Sequence, residues 1–553
     1  MNRIVIIGAG IAGLTAAITL AEQGQKSILV SPAPSERAQS VMAEGGINAA
    51  LNTKGQNDSR QEHFRDTMAA GCDLADPAAV RALTAAAPEI VKWLDDLGVA
   101  FNRTAAGELD LRYFGGQKKQ RTAFAQSGTG KQIMSALIRE CRKWESRGLV
   151  ERKTHHTLQK LLVNGEKWCT GCIIKDNYTD SCQILTGNVL LATGGLNGLF
   201  GKTTGVTQNT GDAAAAAYEA GAACANLEMI QYHPTTTPIS GKRALITEAA
   251  RGEGGRLFVR RSGAKWYYME EKYPELKNLM PRDVVSRETE QVCRENGQEN
   301  AWLDLTGLPE EVFADKLADL RTFCTEFLKL DPKTEYLPVY PGIHYFMGGL
   351  YVDAAHRTTV HGLYAAGECA CQYHGANRLG GNSLLGAAFG GRRAAQAMLS
   401  DLADTATIPF RENDRAAELW QAEQAAVQSR CGVVSCAAAQ KQLEETMKDC
   451  MGIRRCDGQL ARGSAALAAL AAQLKSGRDP RSSAAEQILL ERRVELARAM
   501  VESARARKES RGAQCRTDYP ERNDAAFQKT TVARYRCNGP EITFAALAKE
   551  EGA

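Results

Sequence analysis

The apolar positions of this chain fall first into short unbroken runs that stop at glycine. Residues Arg3 to Ile7 read as a strand buried on both faces, followed by Gly8-Ala9-Gly10-Ile11-Ala12-Gly13. The next run, LTAAITLAEQGQ, has helical apolar spacing, and SILVS reads as a second buried strand. Two later runs end the same way, Leu190-Leu-Ala-Thr193-Gly194-Gly195 and Gly362-Leu-Tyr-Ala-Ala-Gly367-Glu368. Each alone is an ordinary strand-to-turn junction; together they predict distant strands returning to one sheet. The β-rich runs LLVNGEKW and CIIKD predict a hairpin with Cys169-Thr-Gly-Cys172 at its tip. Far along the chain, ILLERRVELARAMVESARARK keeps a helical period in an Ala-, Leu-, Glu- and Arg-rich segment, which predicts a helical bundle.

Composition narrows the class. The chain has 553 residues, and at about 150 residues per domain that predicts three or four domains. Hydrophobic residues make up 44%, enough for sizeable cores and too many for a disordered chain. The net charge of +4 argues against a polyanion binder, so no nucleic-acid partner is expected. No apolar stretch approaches the ~18 residues of a membrane-spanning helix, so no direct membrane insertion is expected. A strand that begins almost at the first residue leaves no room for a secretory leader. The sixteen cysteines are scattered from Cys72 to Cys537 and do not form a disulfide framework. A reducing, cytoplasmic compartment is the expectation. One C-x-x-C falls short of the four thiolates of an iron–sulfur cluster, so no resident metal is expected.

Strand, glycine-rich turn, helix and strand is the context in which G-x-G-x-x-G signals a dinucleotide. Gly8 permits the tight turn, Gly10 lets a pyrophosphate approach the backbone, and Gly13 lets helix and sheet pack closely. The phosphates would sit at the helix N-terminus, where free N–H groups and the dipole favour anions. The motif alone is ambiguous between NAD and FAD. Widely separated glycine-ended strands suit a long cofactor held at both ends, which favours FAD. The second strand ends in Ser31-Pro32 instead of the usual acid, so the ribose contact falls to the Ser31 hydroxyl.

A longer set of runs follows: Ala43-Glu44-Gly45-Gly46-Ile47-Asn48-Ala49-Ala50, Phe114-Gly115-Gly116, Gln231-Tyr232-His233-Pro234-Thr235, and Leu245-Ile-Thr247-Glu248-Ala-Ala-Arg251-Gly-Glu-Gly-Gly255. Pro281-Arg282-Asp283-Val-Val-Ser-Arg287, His344-Tyr-Phe-Met-Gly-Gly349, His374-Gly-Ala-Asn-Arg378-Leu-Gly-Gly-Asn382-Ser383-Leu384 and Glu509-Ser-Arg-Gly-Ala-Gln514 continue it. In this order, over nearly the full chain, they resemble the flavoprotein subunit of fumarate reductase and succinate dehydrogenase. L-Aspartate oxidase, of the same superfamily, shares many of them. The resemblance implies an α/β fold: a Rossmann-like FAD-binding domain over 1–228 and 345–405, with an inserted α+β capping domain over 229–344. A C-terminal helical domain over 406–515 and a tail over 516–553, packed on the bundle near an iron–sulfur partner, would complete it.

The resemblance also implies roles. His344 and Arg378 match positions that bind one carboxylate of a small dicarboxylate, and His233 and Thr247 match those for the other. Phe114 matches an apolar contact against the substrate. Arg282 matches the proton donor, resupplied through Glu248 and Arg251. For FAD the matching positions are Gly8, Ala9, Gly10, Gly13, Ser31, Gly45, Gly46, Thr193, Gly194, Asp212, Glu368, Asn382, Ser383 and Leu384. Covalent members carry a flavin-linking histidine five residues before the acidic or amide residue of the A-x-G-G run; here that position is Gln39. The expectation is therefore non-covalent FAD and a lean towards fumarate reduction.

Three readings follow. The first is reduction of fumarate to succinate, or the reverse, with electrons from an iron–sulfur subunit or a diffusible carrier. A cytoplasmic chain held at a membrane only through partner subunits fits that reading. The second is L-aspartate oxidase, which forms iminoaspartate with the same clamp. It also binds FAD without the covalent link, although the Phe114-Gly-Gly-Gln117 run and the tail after Tyr519-Pro520 resemble the reductases. The third is a flavin-dependent RNA-modifying protein, disfavoured because no basic run with interleaved aromatics is present.

Overall fold

The computed structural model describes residues 4–126, 128–405 and 415–547. Its centre is a five-stranded parallel sheet ordered Leu363–Ala365, Asn188–Leu191, Ile4–Ile7, Ser27–Ser31 and Val150–Thr154. The three glycine-ended runs are thus neighbours in one sheet, as their pattern implied. Arg3, expected to open the first strand, lies outside the described residues. The first helix, Ile11–Glu22, is almost entirely buried between the sheet and the long helix Asn382–Thr405. Close approach there requires glycine: a Cβ on Gly13 would lie 1.9 Å from the Gly8 carbonyl oxygen.

The hairpin expected around Cys169 is present, but its tip is elsewhere. Strands His156–Val163 and Cys169–Asp176 turn at residues 164–167, where the Asn164 side chain accepts from the Glu166 and Trp168 N–H groups. An asparagine that bonds the backbone two and four residues on closes the turn before the cysteines. Cys169 and Cys172 are both buried in the return strand, and all sixteen cysteines are free thiols.

The cap is a six-stranded sheet built on two long antiparallel strands, Ile230–Ile239 and Leu337–Phe346, which lead into and out of it. Their pairing shifts register between Gln231 and Tyr232 and again between His233 and Thr236. Such irregularities re-aim side chains, and this one lies at the base of the cap. Helix Arg282–Glu295 packs on the same strands and closes a separate apolar core of Ile246, Leu257, Val285, Leu303 and Leu337.

The C-terminal helices include Cys436–Cys450, Asp457–Ser476 and Ala484–Ala506, the last opened by a Ser483/Glu486 capping box. The start of the expected helical domain at 406 falls outside the described residues. The tail does more than pack on the bundle. Its strand Lys529–Arg534 pairs with Cys224–Ala225 of the nucleotide-binding part, extending a second sheet.

What holds the tail there is a buried ionic cluster. Arg507 donates to Glu228 (2.7 Å) and Glu509 (3.0 Å), and Arg511 grips both oxygens of Glu509 at 2.7 and 2.9 Å. The side chains of these four residues have no exposed surface. Truncating one partner strands the others in the interior, which costs about 3–5 kcal/mol. Arg507→Ala is therefore expected to lower unfolding stability by that order in urea titrations of the holoprotein. A change lost in the scatter of the parent protein would show the cluster to be energetically idle.

Candidate functional site

Between the C-terminal ends of the parallel strands and the cap lies a cavity of about 610 Å³. One end is formed by Gly8, Ala9, Gly10 and Ser31. The helix that follows Gly10 has no N-cap side chain, and its Ile11 N–H donates to the Ser40 hydroxyl at 3.3 Å; a helix N-terminus turned to a cavity favours an anion. Gly8 has φ +113°, and a Cβ there would meet the Ala192 carbonyl at 2.2 Å. A second helix N-terminus reaches the cavity through Ser383 and Leu384.

The other residues expected at the cofactor sort into two groups. Gly45, Gly46, Thr193, Gly194, Asp212 and Glu368 line the cavity. Gly13 and Asn382 do not: Gly13 sits behind the turn, and Asn382 is buried among Asn48, His63 and Thr67, its carboxamide bonded to all three. Asp212 and Ser31 line the cavity with part of their hydrogen-bonding capacity already used. The Asp212 carboxylate accepts from the Thr210 hydroxyl at 2.7 Å and forms an ion pair with Arg493 at 3.0 Å, and the Ser31 hydroxyl donates to the Ala33 carbonyl at 2.7 Å. Ser31 can therefore only accept from a ribose hydroxyl. Burial raises the Glu368 carboxyl to about 7, opposed by the Phe346 N–H and Arg378. Next to Gly194, the buried Asn209 amide nitrogen has no partner. A helix N-terminus without an N-cap side chain, a glycine floor and an orphaned amide are what an elongated dinucleotide would satisfy. His156 and Asn177 also line the cavity and were not singled out in the sequence. They lie in and beside strands that follow Ser31's sheet neighbour, so only the pairing of Ser31 with Thr154 could have pointed to them.

At the opposite end the cap supplies Phe114's neighbours and the polar cluster. His233, Thr247, Glu248, Arg282, His344, Arg378 and Phe114 all line the cavity, although they come from six separate runs of the chain. The Arg282 guanidinium donates twice to Glu248 Oε2, from Nη2 at 2.6 Å and Nε at 3.0 Å, and from Nη1 to the Gln231 side chain at 3.1 Å. Arg251 lies behind, outside the cavity, and donates to Glu248 Oε1 at 2.9 Å. Burial alone would raise the Glu248 carboxyl; Arg282 and Arg251 overcome it and hold the group at about 2.

Arg378 has no such partner. Its guanidinium lies 4.3 Å over the Tyr345 ring, its Nε is buried without a hydrogen-bond acceptor, and no carboxylate among the described residues pairs with it. Burial, with Arg282 adding repulsion, pulls its pKa down to about 9. The two imidazoles of His233 and His344 meet edge to face, with ring centroids 5.1 Å apart. Both are held neutral: burial and then Arg282 and Arg251 lower His233, while burial, His233 and the arginines lower His344. His233 Nε2 is buried without a partner. An unpaired buried cation beside neutral imidazoles is costly unless an anion completes it. The arrangement suits a small dianion. Gln231, Tyr345 and Thr204 belong to this site too. Gln231 and Tyr345 stand inside the runs quoted above, next to the histidines, but nothing in the runs marks what they touch.

Among the described residues no group of three or more His, Cys, Asp or Glu could hold a metal, and no helix is long and apolar enough to cross a membrane. Residues 3–384 match the FAD binding domain family, and residues 440–551 match the fumarate reductase flavoprotein C-terminal family. The chain is similar to the succinate dehydrogenase flavoprotein subunit of Bacillus subtilis, 38% identical over 97% of this chain and 94% of that protein. It is also similar to L-aspartate oxidase of Streptomyces coelicolor, 32% identical over 96% of this chain and 91% of the other. Among solved structures it resembles E. coli quinol fumarate reductase, with a TM-score of 0.91 and 29% identity over 100% of this chain and 97% of that one.

The charge state of Glu248 can be read from stability. Its folded pKa lies below the value of about 4.3 of a free glutamate. The carboxylate therefore stabilises the fold fully above that value, and the contribution disappears as pH falls to about 2. Glu248→Gln should show a shallower loss of thermal midpoint over that acid window than the parent. Parallel acid limbs would mean that Glu248 is not held ionised by its arginines.

Proposed function

The chain belongs to the fumarate reductase and succinate dehydrogenase flavoprotein family, and from that premise we propose that it reduces fumarate, or a close unsaturated dicarboxylate. The observation that carries this reading is Arg378, buried and unpaired, facing His233 and His344 across a cavity that also holds the Arg282–Glu248 pair. When bound, the flavin supplies hydride chemistry; everything else comes from the chain. Arg378 and His344 grip one carboxylate, with the planar guanidinium suited to a two-point contact. His233 and Thr247 hold the other. Phe114, 2% exposed and packed against Gly45, closes the site on its apolar side. Holding both ends fixes the double bond against the flavin, and the surplus positive charge stabilises the carbanion character that develops on the neighbouring carbon.

Arg282 delivers the proton to that carbon. Its two contacts with Glu248, and Glu248's contact with Arg251, place one carboxylate between two guanidiniums. Arginine ordinarily stays charged, so its proton is lent in a dry site and restored across Glu248. Gln231 fixes the third edge of the Arg282 guanidinium. Electrons enter from an iron–sulfur subunit or a diffusible carrier.

The flavin is held without a covalent link. Gln39 lines the cavity, and its carbonyl oxygen accepts from the Val206 N–H at 2.7 Å, so the side chain serves as a structural brace and offers no nucleophile. Absence of the link favours the reductive direction. L-Aspartate oxidation is the second reading, supported by the similarity to the Streptomyces coelicolor enzyme; turnover of aspartate with oxygen or fumarate separates the two.

Two experiments test the proposal. Acid precipitation should release all flavin as intact FAD, and fluorescence that stays with the denatured chain would contradict the non-covalent assignment. In single-turnover reoxidation of the reduced protein by fumarate, Arg378→Ala should weaken dicarboxylate affinity roughly tenfold or more, the worth of a charge-assisted hydrogen bond. Arg282→Gln should leave affinity little changed but slow the chemical step by about 100- to 10,000-fold. A near-normal rate in Arg282→Gln, or unchanged affinity in Arg378→Ala, would refute the corresponding role.

A further inference from the structure

We propose that Thr204 is a positioning residue, locking His344 in the tautomer whose Nε2 carries the proton offered to a substrate carboxylate. The inference rests on the reading of His344 as part of the dicarboxylate clamp. Thr204 lies 7% exposed in the loop between the strand Asn188–Leu191 and the helix Asp212–Glu219. Its hydroxyl is 2.9 Å from His344 Nδ1, and its backbone N–H donates to the Ile343 carbonyl at 3.0 Å. The loop is fixed from three sides. The Asn197 amide donates to the Thr203 hydroxyl at 2.9 Å, the Arg243 N–H of the cap donates to the Thr203 carbonyl at 3.0 Å, and the Val206 N–H donates to Gln39. Thr204 therefore has little freedom to follow the imidazole; the imidazole must conform to it.

The choice of tautomer follows from counting donors. A neutral imidazole has one N–H, and a carboxylate only accepts. If Nδ1 kept the proton, Nε2 would turn a lone pair towards the substrate. The Thr204 hydroxyl hydrogen would also lack an acceptor, because that hydroxyl has no other hydrogen-bond partner among the described residues. If Thr204 donates to Nδ1, both defects disappear. Nε2 then bears the N–H, and the hydroxyl hydrogen is satisfied. A hydrogen bond to one ring nitrogen fixes the function of the other. His233 lacks an equivalent hydroxyl lock: the Thr235 hydroxyl, 3.3 Å from Nδ1, already donates to the Ile246 carbonyl at 2.9 Å. The dependence on a side-chain donor is thus specific to His344.

Valine and serine separate the hydroxyl from the methyl group. Thr204→Val keeps the shape and removes the donor; Thr204→Ser keeps the donor and removes the methyl. With malonate as the probe, read by perturbation of the flavin spectrum, Thr204→Val should bind roughly tenfold more weakly, and Thr204→Ser should bind close to the parent. Full affinity in Thr204→Val, or equal weakening in both variants, would overturn the assignment. Imidazole ¹⁵N shifts of the parent holoprotein give a second measurement that needs no Thr204 variant. The signal lost in His344→Asn should show Nε2 protonated, and protonation at Nδ1 would refute the lock. Arg378→Ala distinguishes the two levels of failure. If it too leaves malonate affinity unchanged, the clamp reading is wrong; if it alone weakens binding, only the role of Thr204 falls.

Discussion

Glu248 is one buried carboxylate placed against two guanidiniums, while a third guanidinium, Arg378, has none. Three cations with one anion leave an excess of positive charge in a region from which water is largely removed. Burial penalises each charge, and the interior repays it only through close pairing. Arg282 and Arg251 are compensated by Glu248. Arg378 has no carboxylate at ion-pair distance among the described residues and is compensated by the face of Tyr345 and by the more distant Glu368 and Glu248, which are weaker contacts. The neutrality of His233 and His344 belongs to the same balance, because a further positive charge among these arginines is strongly disfavoured. On the proposed function, a bound dicarboxylate dianion would restore neutrality.

Such a site needs a rigid frame, and the frame comes from backbone geometry. The paired strands Ile230–Ile239 and Leu337–Phe346 carry His233 and His344, and their register shifts turn the two imidazoles towards each other. Gly342 sits two residues before His344, where a Cβ would lie 2.6 Å from the Thr236 hydroxyl and 2.8 Å from Arg243 Nε. The glycine allows Arg243 to cross the strand and donate to Thr236 and Tyr340. On the opposite wall, Gly115 and Gly380 leave room for Glu248, whose oxygens would lie 2.6 and 3.0 Å from side chains at those positions. The Glu248 carboxylate thus sits in a cleft that only glycine can form.

The second ionic cluster, around Arg507 and Glu509, shows the opposite solution to the same problem. Each charge there is paired within hydrogen-bond distance, and the cluster ties the tail to the loop after Ala70 through Arg511 and the Cys72 carbonyl. Pairing distinguishes the two clusters. A run such as Glu509-Ser-Arg-Gly-Ala-Gln514 looks as pointed in the sequence as His374-Gly-Ala-Asn-Arg378 does, yet only the second leaves a cation open.

Much of the architecture was legible before any contact was known. The glycine turn, the buried strands and the helical period of residues 484–506 are written in neighbouring residues, because backbone conformation and apolar periodicity are local properties. Most of the residues that the family resemblance named line the cavity. It could not reveal what each side chain touches. That Asp212 is held by Arg493, that Asn382 lies behind the cavity, and that Cys169 starts a strand instead of a turn depend on partners or hydrogen bonds outside the motifs. The tail's pairing with Cys224–Ala225 joins residues about three hundred positions apart. Gln231, Tyr345 and Thr204 acquire their roles only when bulged strands and a braced loop bring them against Arg282, Arg378 and His344. Sequence determines which groups can donate, accept or carry charge; register and packing decide which of them find a partner and which are left open for a ligand.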